Sequence, residues 1–258
     1  EILYDVEAGV SAMAKYLNIE KVDAVVISDG MTAVTGSVAG DNQVKLKDYS
    51  TGEVYTLGCE NPLVSDYLGM RIDGYIHTDR ITGENTLVHF EKKQTVNVTE
   101  ILSDDIISTR SGSIEYETDK NSGKTKTASF SSDGATVMFN GVKTAVYSPS
   151  DLKPSSGKVR LVDNNGDNRA EYVFVYEYTG LVIVDRVSTT DEFVGSKLRA
   201  MDNIDYSESS NSRFFIMKNG DAITLEDLKQ NDVINVAKSN KAVDGKALYY
   251  LFVSSETL

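Results

Sequence analysis

The sequence predicts a mainly β protein: a tandem row of small β-barrels with one N-terminal helix and short helical turns. Three observations carry that expectation. The chain has only 3 Pro but 19 Gly and 14 Tyr, with Val, Thr and Ser throughout, the composition of many short strands joined by tight turns. One strand-turn-strand pattern recurs three times within 258 residues. Units with five or six short strands each hide their exposed edges most simply by closing on themselves.

Taken in order, 1–20 is an N-terminal helical segment. Val6, Val10, Met13, Ala14 and Leu17 fall at helical spacing behind Asp5, a suitable N-cap, and the stripe is expected to pack on the first barrel or on an upstream domain. Repeat 1 is placed at 21–102, with strands at 70–77 and 86–91 and a turn at 63–68. Repeat 2 is placed at 103–187. Here Thr136-Val137-Met138-Phe139 runs into Asn140-Gly141 and returns through Val142-Lys143-Thr144-Ala145-Val146, the signature of a type I′ hairpin, whose two central residues need positive φ. A helical turn at 148–153 and strands at 158–162 and 172–178 follow. Repeat 3, at 188–258, copies the order: Phe214-Phe215-Ile216-Met217, Asn219-Gly220, Ala222-Ile223-Thr224, a turn at 225–229, and strands at 232–237 and 248–253. The alternative is one continuous sandwich with accidental similarity. Stretches 120–126 and 207–212, rich in Ser, Asn and charge, read as loops.

Charge and length narrow the function. With 26 Lys and Arg against 39 Asp and Glu, the formal charge is −13, so the average field repels a nucleic-acid backbone. No apolar run approaches the ~20 residues that cross a bilayer as a helix. Cys59 is the single cysteine, which excludes an intrachain disulfide and a cysteine-based zinc site and leaves a small semi-buried side chain as its role. The chain starts at Glu1 without Met and ends five residues after a strand pattern; both fit a processed product or a piece cut between repeats.

The most specific motif is 163–171. Asp163, Asn165, Asp167 and Glu171 place oxygen side chains so that they can converge on one hard cation, and the backbone carbonyl of Arg169 can add a further ligand. The spacing resembles the Asp-x-Asn-x-Asp-Gly-x-x-Asp calcium loops of integrin-type propellers and related bacterial surface proteins. Asn168 stands where Gly is usual and Glu171 where Asp is usual. Calcium is the expected ion; a plain polar hairpin turn is the alternative, since the corresponding loops 79–85 and 241–246 lack the ligand set.

Other candidates are weaker. His77 and His89 share one predicted hairpin, but two imidazoles without a third ligand make a poor zinc site. The pairs Asp104-Asp105 and Asp191-Glu192 have the residue type for glycoside hydrolysis and read as solvated loops. Asn97-Val98-Thr99 is formally a glycosylation sequon among strand formers. No nucleophile elbow, phosphate loop or nucleotide fingerprint occurs, so no catalytic residues are assigned and the protein is expected not to be an enzyme.

Several stretches resemble the repeat regions of S-layer-homology-containing cell-surface proteins of clostridia-like Gram-positive bacteria. They are 4–26, Asp66-Tyr67-Leu68-Gly69-Met70-Arg71-Ile72, Val162 to Asp167 with Tyr172-Val173-Phe174-Val175, and Leu225-Glu226-Asp227-Leu228-Lys229 with Asp232-Val233-Ile234. The resemblance implies an extracellular, cell-surface location and a structural role, with copies of the chain or adjacent domains of a longer chain as partners. The alternatives are an adhesion module for cell-wall glycan or protein, using Tyr172, Tyr176, Tyr178, Tyr249 and Tyr250, or a phage or secretion tail component. Alternating tyrosines in strands are more often half-buried packing than a sugar platform.

Overall fold

A computed structural model describes residues 14, 16–199 and 203–254. The helix expected at 5–17 lies almost wholly outside the described residues; Ala14 and Tyr16 are helical. The chain divides into two compact units, 1–96 and 97–258.

The first unit holds β1 (Ile19–Ser28), β2 (Gln43–Asp48), β3 (Val54–Gly58), β4 (Arg71–Thr78) and β5 (Asn85–Lys92), with a 3₁₀ turn at Pro62–Tyr67. The strands form a ring in the order β1-β2-β3-β5-β4. Its β3–β5 seam rests on one parallel pair, Gly58 with Thr86. Apolar residues alternate inward, with Val44, Leu46 and Ile72 fully buried.

The second unit continues with β6 (Asn97–Leu102), β7 (Ile106–Arg110), β8 (Ser113–Asp119), β9 (Lys124–Phe130), β10 (Thr136–Phe139), β11 (Val142–Thr144), β12 (Gly157–Asp163), β13 (Arg169–Ala170) and β14 (Tyr172–Glu177). After these come β15 (Gly180–Ser188), β16 (Phe193–Ser196), β17 (Ile204–Asp205), β18 (Ser212–Lys218), β19 (Asp221–Ile223), β20 (Val233–Lys238) and β21 (Ala247–Ser254). They make a five-stranded sheet β11-β10-β14-β12-β6, a four-stranded sheet β13-β9-β8-β7 and a seven-stranded sheet β17-β16-β15-β20-β21-β18-β19. Two separate apolar clusters fill this unit, one built on Ile101, Ile114, Leu152, Val159 and Val173, the other on Val184, Val194, Ile216, Ile234 and Leu251.

The mainly β class is as the composition predicts. Three closed barrels are not what forms, because none of the three sheets of the second unit closes. Four of their six edges are blunted instead by very short strands: β11, β13, β17 and β19 have two or three residues each.

What does recur is a four-strand order. In each copy a strand pairs in parallel with the last strand of the copy, which pairs antiparallel with an earlier strand, which pairs antiparallel with the copy's first strand. The series are β3-β5-β4-β1, β10-β14-β12-β6 and β18-β21-β20-β15. Accordingly Asn97–Leu102, placed by the sequence at the end of repeat 1, pairs with β12, and Gly180–Ser188, assigned mostly to repeat 2, pairs with β20.

A 3₁₀ turn sits between the parallel strand and the following antiparallel pair in every copy, at Pro62–Tyr67, Pro149–Leu152 and Leu225–Asp227. The latter two start alike. The Asp151 and Asp227 carboxylates accept the backbone N–H of Ser148 and Thr224 at 2.8 and 2.9 Å, closing the turn on its own N-cap. Leu68, Leu152 and Leu228 then drop into the core.

Candidate functional site

The loop 163–171 joins β12 to β13 and stands on two strands with buried apolar residues. Asp163 is buried, and its carboxylate organises the turn. Oδ1 accepts the N–H groups of Asn165 and Gly166 at 3.2 and 2.7 Å, and Oδ2 accepts that of Asn168 at 2.9 Å. Two residues supply the positive φ this path needs, Gly166 at 77° and Asn168 at 65°. Asn165 and Asp167 each accept the N–H two residues on, and Glu171 Oε2 reaches back to the N–H of Asn164 at 2.8 Å.

Carboxylate oxygens of Asp163, Asp167 and Glu171 lie within 4.8 Å of one another. Burial pushes the Glu171 carboxyl above the usual glutamate range, and the charges of Asp163 and Asp167 push the same way against the hydrogen bond from Asn164. Of the five predicted ligands, the structure therefore gathers these three carboxylates, while Asn165 and Arg169 occupy the same loop with their backbone N–H groups bound inside it. An all-oxygen donor set of this charge suits a hard divalent cation.

Part of this architecture is generic to the chain. Asp48, Asp79 and Asp119 open other hairpins in the pattern Asp-x-x-Ser/Thr-Gly, and each carboxylate accepts the N–H two residues on. The closing glycines, Gly52, Gly83 and Gly123, have φ of 76°, 73° and 61°. Asp163 performs the same turn-forming task, but only its loop adds two more carboxylates. The recurrent Asp-x-x-Ser/Thr-Gly spacing is a sequence signal that motif reading passed over.

A second constellation lies where the second repeat meets the third, inside the 97–258 unit. Asn140 and Gly141 have φ of 43° and 80°, as the hairpin signature requires. The Asn140 side chain is buried and bonds on both sides. Its Oδ1 accepts the N–H of Glu177 at 2.9 Å, and its Nδ2 donates to the carbonyl of Glu177 at 3.0 Å and to that of Lys238 at 2.8 Å. A Cβ at Gly141 would come within 2.5 Å of Tyr250 Oη and 2.7 Å of Leu248, so the turn is seated against β21.

Beside it Tyr176 packs on Tyr250 and Phe252, both at 5.2 Å between ring centroids, and Tyr178 packs on Phe252 at 5.8 Å. Of the tyrosines considered as a sugar platform, Tyr176, Tyr178 and Tyr250 thus pack in one aromatic group with Phe252. Tyr249 stacks on Phe214 at 4.9 Å.

The remaining candidates separate. His89 lies opposite Tyr75 and His77 opposite Thr86, with a register shift between them, so the pair does not face across the strands. Asp105 is paired with Lys120 at 2.9 Å, and Asp191 closes a turn with Ser188. Cys59 is buried rather than semi-buried, with its thiol pushed up by burial. Asn97 lies on β6 with its side chain 3.4 Å from Asp163 Oδ2. No helix among the described residues is long and apolar enough to cross a membrane. No family model, curated protein or solved structure matches the chain.

Proposed function

We propose that the chain is a non-catalytic structural module of a bacterial cell surface, in which the second β repeat is fixed on the third and one hairpin is clamped by calcium. The observation that carries this reading is the Asn140 turn. A buried amide bonded to two repeats at once fixes one repeat on the next, which a spacer requires and a reaction does not. The aromatic pile of Tyr176, Tyr178, Tyr250 and Phe252 supports the same role, because it packs side chains of the second repeat on those of the third. Labelling of intact cells that make the protein, with a membrane-impermeant amine reagent, should mark it before the cells are opened. Labelling only after lysis would refute the surface location.

Calcium would be held by Asp163, Asn165, Asp167 and Glu171 with the Arg169 carbonyl, and it would offset the repulsion among the three carboxylates. A site of the extracellular class, with a dissociation constant of about 10⁻⁴ to 10⁻³ M, gives about 0.4 to 1.4 kcal/mol at about 1 mM calcium. For a unit of this length that is about 1 to 5 °C in melting temperature. Chelation should lower the melt by that amount, and Asp163→Ala should abolish the difference. Because Asp163 also builds the turn, Glu171→Gln is the cleaner variant: it keeps an oxygen for the Asn164 N–H, and should raise the calcium-free melt while shrinking the calcium shift. An unchanged wild-type melt on chelation sinks the calcium clamp.

One observation favours a second reading, adhesion to an anionic glycan. A cleft of about 520 Å³ beside the joint is lined by Lys143, Lys153, Lys238 and Lys241 against Asp151 and Glu177. That is a local cation excess in a chain with 39 acidic and 26 basic residues. Calorimetric titration with an anionic oligosaccharide should show salt-sensitive binding that Lys143→Glu and Lys241→Glu remove; no heat at low salt rejects it.

A further inference from the structure

The joint at Asn140 has a twin that holds nothing. In the second repeat the turn follows Phe139, which pairs with Val175 of the last strand; in the third it follows Lys218, which pairs with Val253. The same two residues follow in each, Asn140-Gly141 and Asn219-Gly220, both with positive φ, at 43° and 80° and at 56° and 92°. Their surroundings are opposite. Asn140 is buried and a Cβ at Gly141 would strike the next repeat, whereas Asn219 and Gly220 are exposed, with no atom within 4 Å of where a Gly220 Cβ would stand. Among the described residues the Asn219 amide has no hydrogen-bond partner.

An Asn-Gly turn by itself needs nothing beyond its hairpin, and exposed hairpins commonly use it. The second repeat shows what this particular turn does in this protein. Its amide caps the carbonyl at the end of a neighbour's β20, and its glycine lets a tyrosine and a leucine of the neighbour's β21 come into contact. Those are three features of the receiving partner: a free strand-end carbonyl, and a Tyr and a Leu on the adjacent strand.

Within the third repeat that receiving place is already filled by Asn140. A second copy of this chain therefore cannot offer its own Lys238, Leu248 and Tyr250 to the turn without displacing the internal joint.

We propose that the Asn219-Gly220 turn is a docking element for a further β repeat of the same build, linked in tandem behind this one, seated through a strand-end carbonyl and a Tyr-Leu pair as Asn140-Gly141 is seated on Lys238, Leu248 and Tyr250. The argument stands on the internal joint, and uses the scaffold reading only for its purpose.

The test is an extended chain in which residues 180–258 are repeated after Leu258, compared with the chain as it is. Asn140→Ala in the present chain sets the size of a broken joint. Asn219→Ala should leave the present chain's melting temperature and amide-exchange protection unchanged. In the extended chain, the same substitution in the inner copy should lower the melt by as much as Asn140→Ala does, and should release protection at the new joint. An extended chain indifferent to Asn219→Ala overturns the proposal. So does concentration-dependent dimerisation of the present chain that Asn219→Ala abolishes, since the occupant would then be a second molecule. These outcomes do not bear on cell-surface labelling, so this proposal and the surface reading fail separately.

Discussion

Asn140 links the second repeat to the third through one side chain. Its amide satisfies both backbone groups of Glu177 and the carbonyl of Lys238. Truncation to Ala removes those three part-buried hydrogen bonds, at a cost of about 1 to 3 kcal/mol, readable by urea denaturation of the second unit. Gly141→Ala should cost as much or more, since it combines a φ of 80° with a contact 2.5 Å from Tyr250 Oη. Gly220→Ala carries only the backbone strain, so the gap between the two glycine variants isolates the steric part. The Asn-Gly pair was legible as a turn because positive φ at two consecutive positions is a local demand. Its seat was not legible, because a partner 98 residues away leaves no mark in a short window.

Carboxylates at this scale divide into two kinds with opposite pH behaviour. The Asp48 carboxyl is drawn down to about 2 by the Thr51 N–H and the Ser50 hydroxyl, and those of Asp79 and Asp119 are lowered by their own turn donors. A lowered folded value means stability that is present above the unfolded carboxyl range and lost as pH falls through the folded value. Asp29 is the reverse. It is buried beside Ser28 and Thr32, accepting from the N–H groups of Met31 and Thr32 at 2.8 and 2.7 Å, and burial raises its carboxyl despite these bonds and one from Ser65. Its charge therefore withdraws stability as pH rises from the ordinary aspartate value through the raised one. Asp29→Asn, which keeps an acceptor oxygen, should stabilise the first unit at neutral pH and converge with wild type in acid. Asp48→Asn should instead trail wild type at neutral pH and converge as pH falls towards about 2.

At the level of elements, strand existence followed the apolar runs closely: β4, β5, β12, β14, β20 and β21 each lie within a residue or so of where alternation and turn residues put them. The β7-β8-β9 meander escaped because Ser, Thr, Lys and Glu dominate it and only one face, with Ile106, Ile114 and Phe130, is buried. Sheet closure also escaped. Antiparallel hairpins announce themselves through their turns, but the parallel pairings of β10 with β14 and β18 with β21 have no turn to announce them. The nearness of Asp163, Asp167 and Glu171 was legible from their spacing in the loop, whereas the turn-building use of Asp163 showed only beside its analogues at Asp48, Asp79 and Asp119. A test at this scale is Leu152→Ala against Leu228→Ala. Each leucine directly follows the capping aspartate of its 3₁₀ turn, Leu152 fully enclosed and Leu228 6 % exposed, so each should cost about 2 to 5 kcal/mol, with the larger loss at Leu152.

For the molecule as a whole, the division at Val96 and Asn97 predicts that residues 97–258 expressed alone fold with an intact near-ultraviolet spectrum. Within that unit the second and third repeats have separate cores but share the Asn140 amide and the aromatic pile. Calorimetry of 97–258 should accordingly give one transition, and Asn140→Ala should split or broaden it. Two resolved transitions in the wild-type unit would count against a rigid joint.

The parallel pairings set a timetable for synthesis. Lys218 meets Val253 and Phe139 meets Val175, so each repeat is closed by the strand that leaves the ribosome last. Until then β10 or β18 presents a bare edge to whatever else is being made nearby, the condition under which β chains are most prone to stick together. Asn140 waits longer still, for a carbonyl that is translated 98 residues after it. A pause anywhere between them would leave the nascent protein with one finished bead and an empty coupling, and the order of translation thereby becomes the order of assembly.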